Sequence, residues 1–191
     1  MKAPINHIAN LATGYQTRKA VQPEGLGTHF LLQIRDFNQE RTALNLGNMI
    51  KFTPTSSGKD QVLRAGDVVF LSRGQKNFAF ALPEIPEPTF ASSYFFVLRP
   101  KPVISGPYLS WCLNQTIAQQ HFKRLGTAGA RMPVVTREVM TNLEVPVPDL
   151  RTQHKIVELN DLAVKQADLL AKLAEKKRTL VEAACLHASN H

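Results

Sequence analysis

The C-terminal part of the chain contains a long stretch without glycine or proline, and this constrains the fold more than any other feature. Residues 150–187 consist mainly of Ala, Leu, Lys, Glu and Gln, which are strong helix formers. Pro146 and Pro148 hold the preceding residues extended, because a residue before proline avoids the helical region. Asp149 suits the N-cap position. The sequence therefore predicts one helix of about 38 residues, roughly 57 Å long.

Apolar residues in this helix recur with a period of seven. Seven of the ten positions in the frame are apolar, and Leu162 and Leu169 widen the apolar stripe. A helix of this length cannot lie along a domain of about 150 residues over its whole extent, so part of it must pair with another helix in a coiled coil or bundle. A long helix packed on its own domain is the alternative. The side chains predicted to form a dimer interface are Ile156, Leu159, Ala163, Leu170, Leu173 and Leu180.

Residues 1–148 form the first of two predicted domains, and residues 149–191 form the second. The first domain has the pattern of a mixed α/β (α+β) fold, because short apolar runs alternate with turn residues and with helical segments. One helix is predicted from its cap at Ser105 to about Phe122, and another from Thr136 to Asn142. Strands are predicted at residues 28–34, 62–63, 68–71, 78–82 and 93–98, and at Val145.

The positive charge of the chain is concentrated in the first domain. The whole chain has 23 Lys and Arg against 15 Asp and Glu, a formal net charge of +8. Residues 1–148 have 16 basic and 9 acidic side chains, a net charge of +7, whereas residues 149–191 have 7 and 6, a net charge of +1. An excess of this kind favours a polyanionic partner, most often nucleic acid. We therefore expect the first domain, and not the helix, to face such a partner.

Several classes of protein are excluded by what the sequence lacks. No apolar run approaches the roughly 20 residues that span a bilayer, so no membrane association is expected. The two cysteines, Cys112 and Cys185, lie far apart, and the N-terminus has no secretory pattern, so a cytoplasmic location is expected. There is no P-loop, GxGxxG, GxSxG or HExxH sequence, and the histidines are scattered. We expect a binding protein without metal, cofactor or catalytic activity of its own.

Five short motifs follow one another along the chain. A Leu-x-x-Gly-Asp turn followed by apolar residues spans 63–70, and a strand ends in Leu-Arg-Pro at 98–100. A helix begins with Pro107-Tyr108-Leu109, a Gly- and Thr-containing loop spans 126–129, and a proline-rich strand at 143–149 leads into Gln153 and Ile156. Together, and in this order, they resemble the DNA specificity subunits of type I restriction-modification systems over nearly the whole chain.

The resemblance implies a target recognition domain that reads a short half-site in double-stranded DNA, followed by a helix that acts as a spacer and docks the methyltransferase. It implies two kinds of protein partner that supply the chemistry. An adenine methyltransferase subunit would bind S-adenosylmethionine, and a motor-nuclease restriction subunit would use ATP. This chain would be the non-catalytic specificity subunit.

The chain departs from this family in one respect. The usual subunit has two recognition domains and two such helices, whereas this chain has one of each. It is therefore either a fragment or a half-subunit that forms a homodimer, and we expect the homodimer because a C2 pair is the commonest way to cover a self-complementary face. Such a dimer would read a two-part palindromic target. Two alternatives are the recognition subunit of a related modification or phage-defence system, and a coiled-coil adaptor or anti-restriction decoy that binds the methyltransferase without reading DNA.

Candidate DNA contacts lie on three loops and on nearby basic residues. Bases are read by Arg, Lys, Asn and Gln, and phosphates accept bonds from cations, hydroxyls and backbone N–H groups. The loops span 15–19, 73–77 and 126–131. Phosphate contact is expected for Arg35, Arg41, Lys123 and Arg124. The predicted DNA-binding residues are Gln16, Arg18, Lys19, Arg35, Arg41, Arg73, Gln75, Lys76, Asn77, Arg124, Thr127 and Arg131.

Other prominent residues are predicted to have structural roles. Gly66 suits a turn, and the Asp67 carboxylate suits a bond to its own backbone. Tyr108, Leu109 and Trp111 are expected to pack between the helix and the sheet, or against another subunit, and not to stack on bases.

Overall fold

The computed structural model describes residues 1–16, 21–55, 62–126 and 133–189. It divides the chain into two compact units, Met1–Gln153 and His154–His191. The first unit combines short strands with helices, which confirms the expected mixed α/β (α+β) class. The long C-terminal helix is also confirmed.

The strands are short and belong to three sheets. In chain order they are β1 (Lys2–Pro4), β2 (Ala9–Thr13), β3 (His29–Leu32), β4 (Ile50–Phe52), β5 (Val68–Leu71), β6 (Ala79–Ala81), β7 (Thr89–Ala91), β8 (Phe95–Pro100) and β9 (Glu144–Pro146). The helices are α1 (Ile5–Ile8), α2 (Gly106–Asn114), α3 (Thr116–Leu125), α4 (Arg137–Thr141) and α5 (Leu150–Ser189), with 3₁₀ turns at Ile34–Asp36 and Leu46–Asn48.

The largest sheet is antiparallel and has the strand order β2-β8-β5-β6. All four residues of β5 are buried, as expected of an apolar strand with neighbours on both sides. The second sheet has the order β4-β3-β7, in which β3 runs antiparallel to β4 and parallel to β7. The third is a two-stranded pair in which β1 lies antiparallel to β9, with Ala3 opposite Val145.

Aromatic side chains make up much of the interior. The Phe37 ring packs edge-on against Phe78, with ring centroids 5.0 Å apart, in the cluster beneath the largest sheet. In a second cluster, Tyr15 and His29 both stack on Phe90, at 5.2 and 5.0 Å. These offset arrangements are those that the ring quadrupoles favour.

The predicted turn at Gly66 and Asp67 is confirmed. Gly66 has a φ of 83°, in the left-handed region that glycine adopts without strain. The Asp67 carboxylate accepts a bond from the backbone N–H of Arg64 at 3.0 Å, as expected. It also binds the Arg99 guanidinium through both oxygens. The two sequence motifs that contain Asp67 and Arg99 therefore meet in one ion pair.

Some predicted elements have different bounds in the structure. The helix expected from Ser105 to Phe122 is two helices, because Gln115 has an extended backbone with φ −70° and ψ 152°. The Asn114 side chain, just before this break, bonds both the N–H and the carbonyl of Ala79 in β6, which fixes the end of α2 on the sheet. The strand expected at 28–34 ends at Leu32, since the next N–H, that of Gln33, bonds the Asp36 carboxylate.

The long helix α5 begins with a side-chain cap. The Asp149 carboxylate accepts bonds from the Thr152 N–H at 3.0 Å and from its hydroxyl at 2.7 Å, as predicted for an N-cap. These bonds lower the pKa of Asp149. One turn later, the Gln153 side chain is fully buried in the first unit. Its oxygen accepts from Ser105 N–H, and its nitrogen donates to the carbonyls of Val103 and Pro148, each at 2.9 Å.

In the second unit, the leucines of α5 are exposed. Leu159 is 66% exposed, Leu170 58%, Leu173 50% and Leu180 70%. Ion pairs Asp168–Lys172 and Glu175–Arg178 lie along the same helix, with nitrogen–oxygen distances of 2.7 and 2.8 Å. Exposed pairs of this kind contribute little stability, so the exposed apolar residues are the feature of this helix that requires an explanation.

Candidate nucleic-acid interface

The 72–77 turn connects β5 to β6 and is bonded to the fold on two sides. On one side, the Ser72 N–H and hydroxyl both donate to the Tyr94 carbonyl at 2.9 Å. On the other side, the Gly74 N–H donates to the Pro133 carbonyl at 3.0 Å, and the Val135 N–H donates to the Ser72 carbonyl at 2.8 Å. Gly74 has a φ of 124°, which a larger residue adopts only with strain. The turn is therefore a firmly held platform for its exposed side chains.

Arg73 lies against an aromatic ring at the start of this turn. Its guanidinium carbon is 5.9 Å from the centroid of the Tyr94 ring, within the range of a cation–π contact. Tyr94 is 40% exposed, unusually so for a tyrosine flanked by the buried Phe95. Within the described residues, no carboxylate or carbonyl accepts a hydrogen bond from the Arg73 side chain. Its donors are therefore oriented by the ring and remain available to a ligand.

A cavity of about 460 Å³ lies on one side of this pair. Tyr94 and Arg35 line it, together with Tyr15 and Gln33. Arg35 is exposed on the 3₁₀ turn Ile34–Asp36, which brings its charge to the cavity. We call this space the Arg35 cavity.

A second cavity, of about 610 Å³, is lined by the turn itself, and we call it the Lys123 cavity. One wall is formed by Gly74, Gln75 and Asn77 of the turn, and the other by one face of α3. That face contributes Thr116, Gln119, Gln120, Phe122 and Lys123. The residues at i, i+4 and i+7 of this set share one side of a helix, so Lys123 lies in line with Gln120 and Thr116.

The amide side chains around the Lys123 cavity fall into two groups. Asn77 donates to the Leu71 carbonyl at 2.7 Å, Gln119 donates to the Leu113 carbonyl at 2.8 Å, and Asn114 bonds to Ala79. These amides hold the fold together. Gln75 and Gln120 are exposed, and neither side chain has a hydrogen-bond partner among the residues that the structure describes. These two amides are therefore available for contacts with a ligand.

The remaining predicted DNA-binding residues lie in different surroundings. Gln16 is exposed beside Tyr15, which lines the Arg35 cavity, and Lys76 is exposed on the turn. Arg124 is exposed in the last turn of α3, next to Lys123. Arg41 is half-buried: it donates to the Ile34 carbonyl at 2.7 Å, and its guanidinium lies 5.7 Å from the centre of the Phe78 ring. Arg41 thus fixes the segment around Arg35 within the fold. Arg18, Lys19, Thr127 and Arg131 lie outside the described residues.

Tyr94, Gln119 and Gln120 were not predicted as site residues. Tyr94 follows two serines in what the sequence indicates is a strand, and nothing local distinguishes it from the buried Phe95 and Phe96. Gln119 and Gln120 lie near the end of a predicted helix in which only residues near the start were expected to pack. The signal that identifies all three is spatial, since each lines one of the two cavities beside the 72–77 turn.

Burial raises the pKa of three groups in the first unit. It raises the pKa of Asp36, against the opposing effects of the Gln33 N–H bond and the Arg35 charge. It raises the pKa of the Cys112 thiol to about 11, and it also raises that of Tyr108. Tyr108 is buried, stacks on Trp111 at 5.6 Å, and donates to the Pro146 carbonyl at 3.2 Å. These contacts are consistent with the packing role expected of Tyr108 and Trp111.

Neither a metal centre nor a membrane span is found in the described part of the chain. No three His, Cys, Asp or Glu side chains there are grouped so as to hold a metal ion. Of the helices described, none is both long enough and apolar enough to cross a membrane.

Solved structures with the same fold come from specificity subunits. The chain aligns with the S subunit of the type I restriction-modification system of M. genitalium at a TM-score of 0.55 and 15% identity, covering 94% of this chain and 42% of that one. It aligns with the HsdS subunit of Thermoanaerobacter tengcongensis at a TM-score of 0.59 and 18% identity, covering 89% and 38%. A third match, with the same score and identity and 89% and 39% coverage, is from a structure concerning complex assembly and conformational transition of the type I R-M system.

The chain spans about two fifths of the length of these proteins. No curated protein sequence matches it significantly. The family model for the type I restriction modification DNA specificity domain matches residues 37–176, which include the 72–77 turn, α3 and much of α5. The match covers well over half of the chain. The chain therefore belongs to the family of type I restriction-modification DNA specificity domains, which are non-catalytic DNA recognition domains.

Proposed function

We propose that this chain reads one half of a bipartite DNA target, acts as a homodimer, and directs an adenine methyltransferase to that target. The observation that carries the DNA-reading part is the surface around the 72–77 turn. There the guanidinium of the exposed Arg73 lies over the Tyr94 ring, and two nearby cavities each contain a further cation, Arg35 or Lys123. Base reading requires oriented side-chain donors, and affinity requires cations near the flanking phosphates.

The charge distribution supports the same assignment. The excess of basic residues lies in residues 1–148, which contain the turn and both cavities. The long helix is nearly neutral, so it contributes little to attraction by DNA. Its exposed leucines, Leu159, Leu170, Leu173 and Leu180, need a cover that the described residues do not provide.

A second copy of the chain is the simplest cover for this apolar face. Pairing of two α5 helices would place two recognition units in one particle, and a C2 dimer reads a palindromic pair of half-sites. The assembled dimer would have the two recognition domains that the family resemblance implies for a full specificity subunit. S-adenosylmethionine and ATP would be bound by partner subunits, the methyltransferase and a motor-nuclease restriction subunit, and not by this chain.

The test is to co-express the full chain with its host's adenine methyltransferase and to map adenine methylation across the genome. We expect methylation at a two-part palindromic motif, which disappears when the chain is omitted. An asymmetric motif would overturn the homodimer. If the chain still binds the methyltransferase but no sequence-specific methylation is seen, the chain is an adaptor or decoy. The proposed DNA-reading function is then wrong.

A further inference from the structure

We infer that Arg73 reads a guanine in the half-site and that Tyr94 is the positioning residue that holds Arg73 for this contact. The inference rests on the DNA-reading function proposed above and names the residue pair and the base. The arginines of the first unit differ in what their side chains contact.

Three described arginines of this unit are bound to groups of the fold. Arg99 pairs with Asp67, Arg41 donates to the Ile34 carbonyl, and Arg137 donates to the Leu11 carbonyl. A guanidinium held in this way has fewer donors left for a base. Arg73 differs, because no protein acceptor among the described residues binds its N–H groups, while its guanidinium lies over the Tyr94 ring.

The backbone beneath Arg73 is also fixed more firmly than an exposed turn requires. Arg73 forms an isolated antiparallel bridge with Val134, and the neighbouring Gly74 N–H bonds the Pro133 carbonyl at 3.0 Å. On the opposite side, Ser72 makes two bonds to the backbone of Tyr94, the same residue whose ring contacts the guanidinium. One residue therefore positions both the backbone and the side chain of this arginine. Such pre-organisation reduces the ordering that binding demands.

The chemistry of the guanidinium selects the base. Two of its N–H groups match the O6 and N7 acceptors that guanine presents in the major groove, and this bidentate pair is the commonest specific contact in protein–DNA complexes. The cations that line the two nearby cavities, Arg35 and Lys123, supply positive charge for contacts with backbone phosphates. Adenine presents a donor at the position of O6, so it does not accept this pair of bonds.

The test is selection of bound duplexes from a pool of randomised sequence, using the full chain in complex with its host's adenine methyltransferase. The wild type is expected to enrich a motif with a G·C pair at one position of each half-site. Arg73→Ala should lose the preference at that position only, and bind the enriched duplex roughly 5- to 150-fold more weakly. Arg64→Ala is the matched control, because Arg64 is exposed on a different turn and its removal changes the net charge equally.

Two further measurements separate positioning from folding. Replacing the guanine by 7-deazaguanine should weaken binding by the wild type and leave Arg73→Ala unaffected. Tyr94→Phe should keep the guanine preference because it keeps the ring, whereas Tyr94→Ala should reduce the preference with unchanged binding to non-target DNA. The Arg73 and Tyr94 roles are wrong if Arg73→Ala and Arg64→Ala enrich the same motif. Failure of the wild type to enrich any motif would instead overturn the proposed DNA-reading function, and this inference with it.

Discussion

The Arg99 guanidinium binds both carboxylate oxygens of Asp67, with Nε 2.8 Å from Oδ1 and Nη2 2.8 Å from Oδ2. The Asp67 side chain is 3% exposed and that of Arg99 is 28% exposed. The same guanidinium donates to the Val62 carbonyl at 2.9 Å. The pair therefore joins the turn before β5, the end of β8 and the segment at Val62, around the strands that carry the 72–77 turn.

Removal of the Asp67 charge should destabilise the first unit. We expect Asp67→Asn to lower the free energy of unfolding by about 3 kcal/mol, because it leaves a partly buried guanidinium without its counter-ion. Urea unfolding followed by circular dichroism measures this change. Glu84→Gln, an equivalent substitution at an exposed position, is the control and should change stability by less than about 0.5 kcal/mol. Equal stability of the two variants would contradict the structural role of the pair.

Substitution of Gln153 should lower the free energy of unfolding as much as substitution of an apolar core residue, although Gln153 is polar. Its side chain satisfies the Ser105 N–H and the carbonyls of Val103 and Pro148. Gln153→Ala leaves these buried groups without partners and is expected to lower the free energy of unfolding by about 2–4 kcal/mol. Gln39→Ala, at an exposed position of the same unit, is the matched control. A small effect at both positions in the same unfolding experiment would show that the buried amide is dispensable.

The proposed dimer should depend on the apolar face of α5. Leu170→Glu combined with Leu173→Glu places two carboxylates at neighbouring positions of the seven-residue frame, and charge burial opposes helix pairing. We expect this variant to be a monomer by light scattering. The control variant, Ala171→Glu combined with Thr179→Glu, adds the same charge at positions outside the seven-residue frame. We expect this variant to remain dimeric. A dimer that persists in the leucine variant would exclude this face as the interface.

The two cysteines should differ sharply in reactivity. Burial raises the pKa of Cys112 from 9.0 to about 11, so its thiol stays protonated at neutral pH, whereas Cys185 is exposed. We expect one thiol per chain to react rapidly with a disulfide reagent, and none in Cys185→Ser. Rapid reaction of a thiol in native Cys185→Ser would contradict the burial of Cys112.

The same pKa shift predicts a pH dependence of stability. A thiol whose pKa is higher in the folded state holds its proton over a range where the unfolded chain has lost it, so this contribution is complete below pH 9 and is lost as pH rises toward about 11. Stability should therefore fall less steeply over this range in Cys112→Ala than in the wild type. Parallel unfolding curves measured across this pH range would contradict the prediction.

Lys123 should act on affinity without affecting sequence preference. If this side chain meets a phosphate, Lys123→Ala weakens binding equally for all duplexes and reduces the slope of log affinity against log salt by about 1. Lys2→Ala, which removes an exposed lysine from β1, is the control and should leave the slope unchanged. A changed sequence preference in Lys123→Ala would mean that this residue contacts bases.

The elements that local sequence determines were predictable. The long helix follows from an uninterrupted run of helix formers after Pro148, and its cap from Asp149, because both depend on neighbouring residues alone. The turn at Gly66 was predictable for the same reason. The break at Gln115 was not, because Asn114 ends α2 through bonds to Ala79, 35 residues earlier in the chain.

In the candidate site, too, the residues that local sequence indicates could be predicted, and those that depend on distant contacts could not. Arg73 and Gln75 could be named as candidates from the sequence because they lie on a polar turn that contains a glycine. Tyr94 was missed because its partner is 21 residues away in sequence and only the packed strands bring the ring to Arg73. Arg41 was predicted from its charge to contact phosphate, yet the structure places its guanidinium against Phe78 and the Ile34 carbonyl. The charge of a residue makes it a candidate for DNA contact. The tertiary contacts of its side chain determine whether its donors are available for that contact.

The pairing of β1 with β9 has a consequence for how the first unit is connected to the rest of the chain. Lys2 lies opposite Pro146, the Val147 N–H bonds the Met1 carbonyl at 2.9 Å, and the Ile5 N–H bonds the Leu143 carbonyl at 3.0 Å. The first and last strands of the recognition unit are thus paired with each other. The residues that form the 72–77 turn and both cavities all lie between these two strands in the chain. A unit whose two ends lie side by side has the arrangement in which insertion into another chain and circular permutation are tolerated.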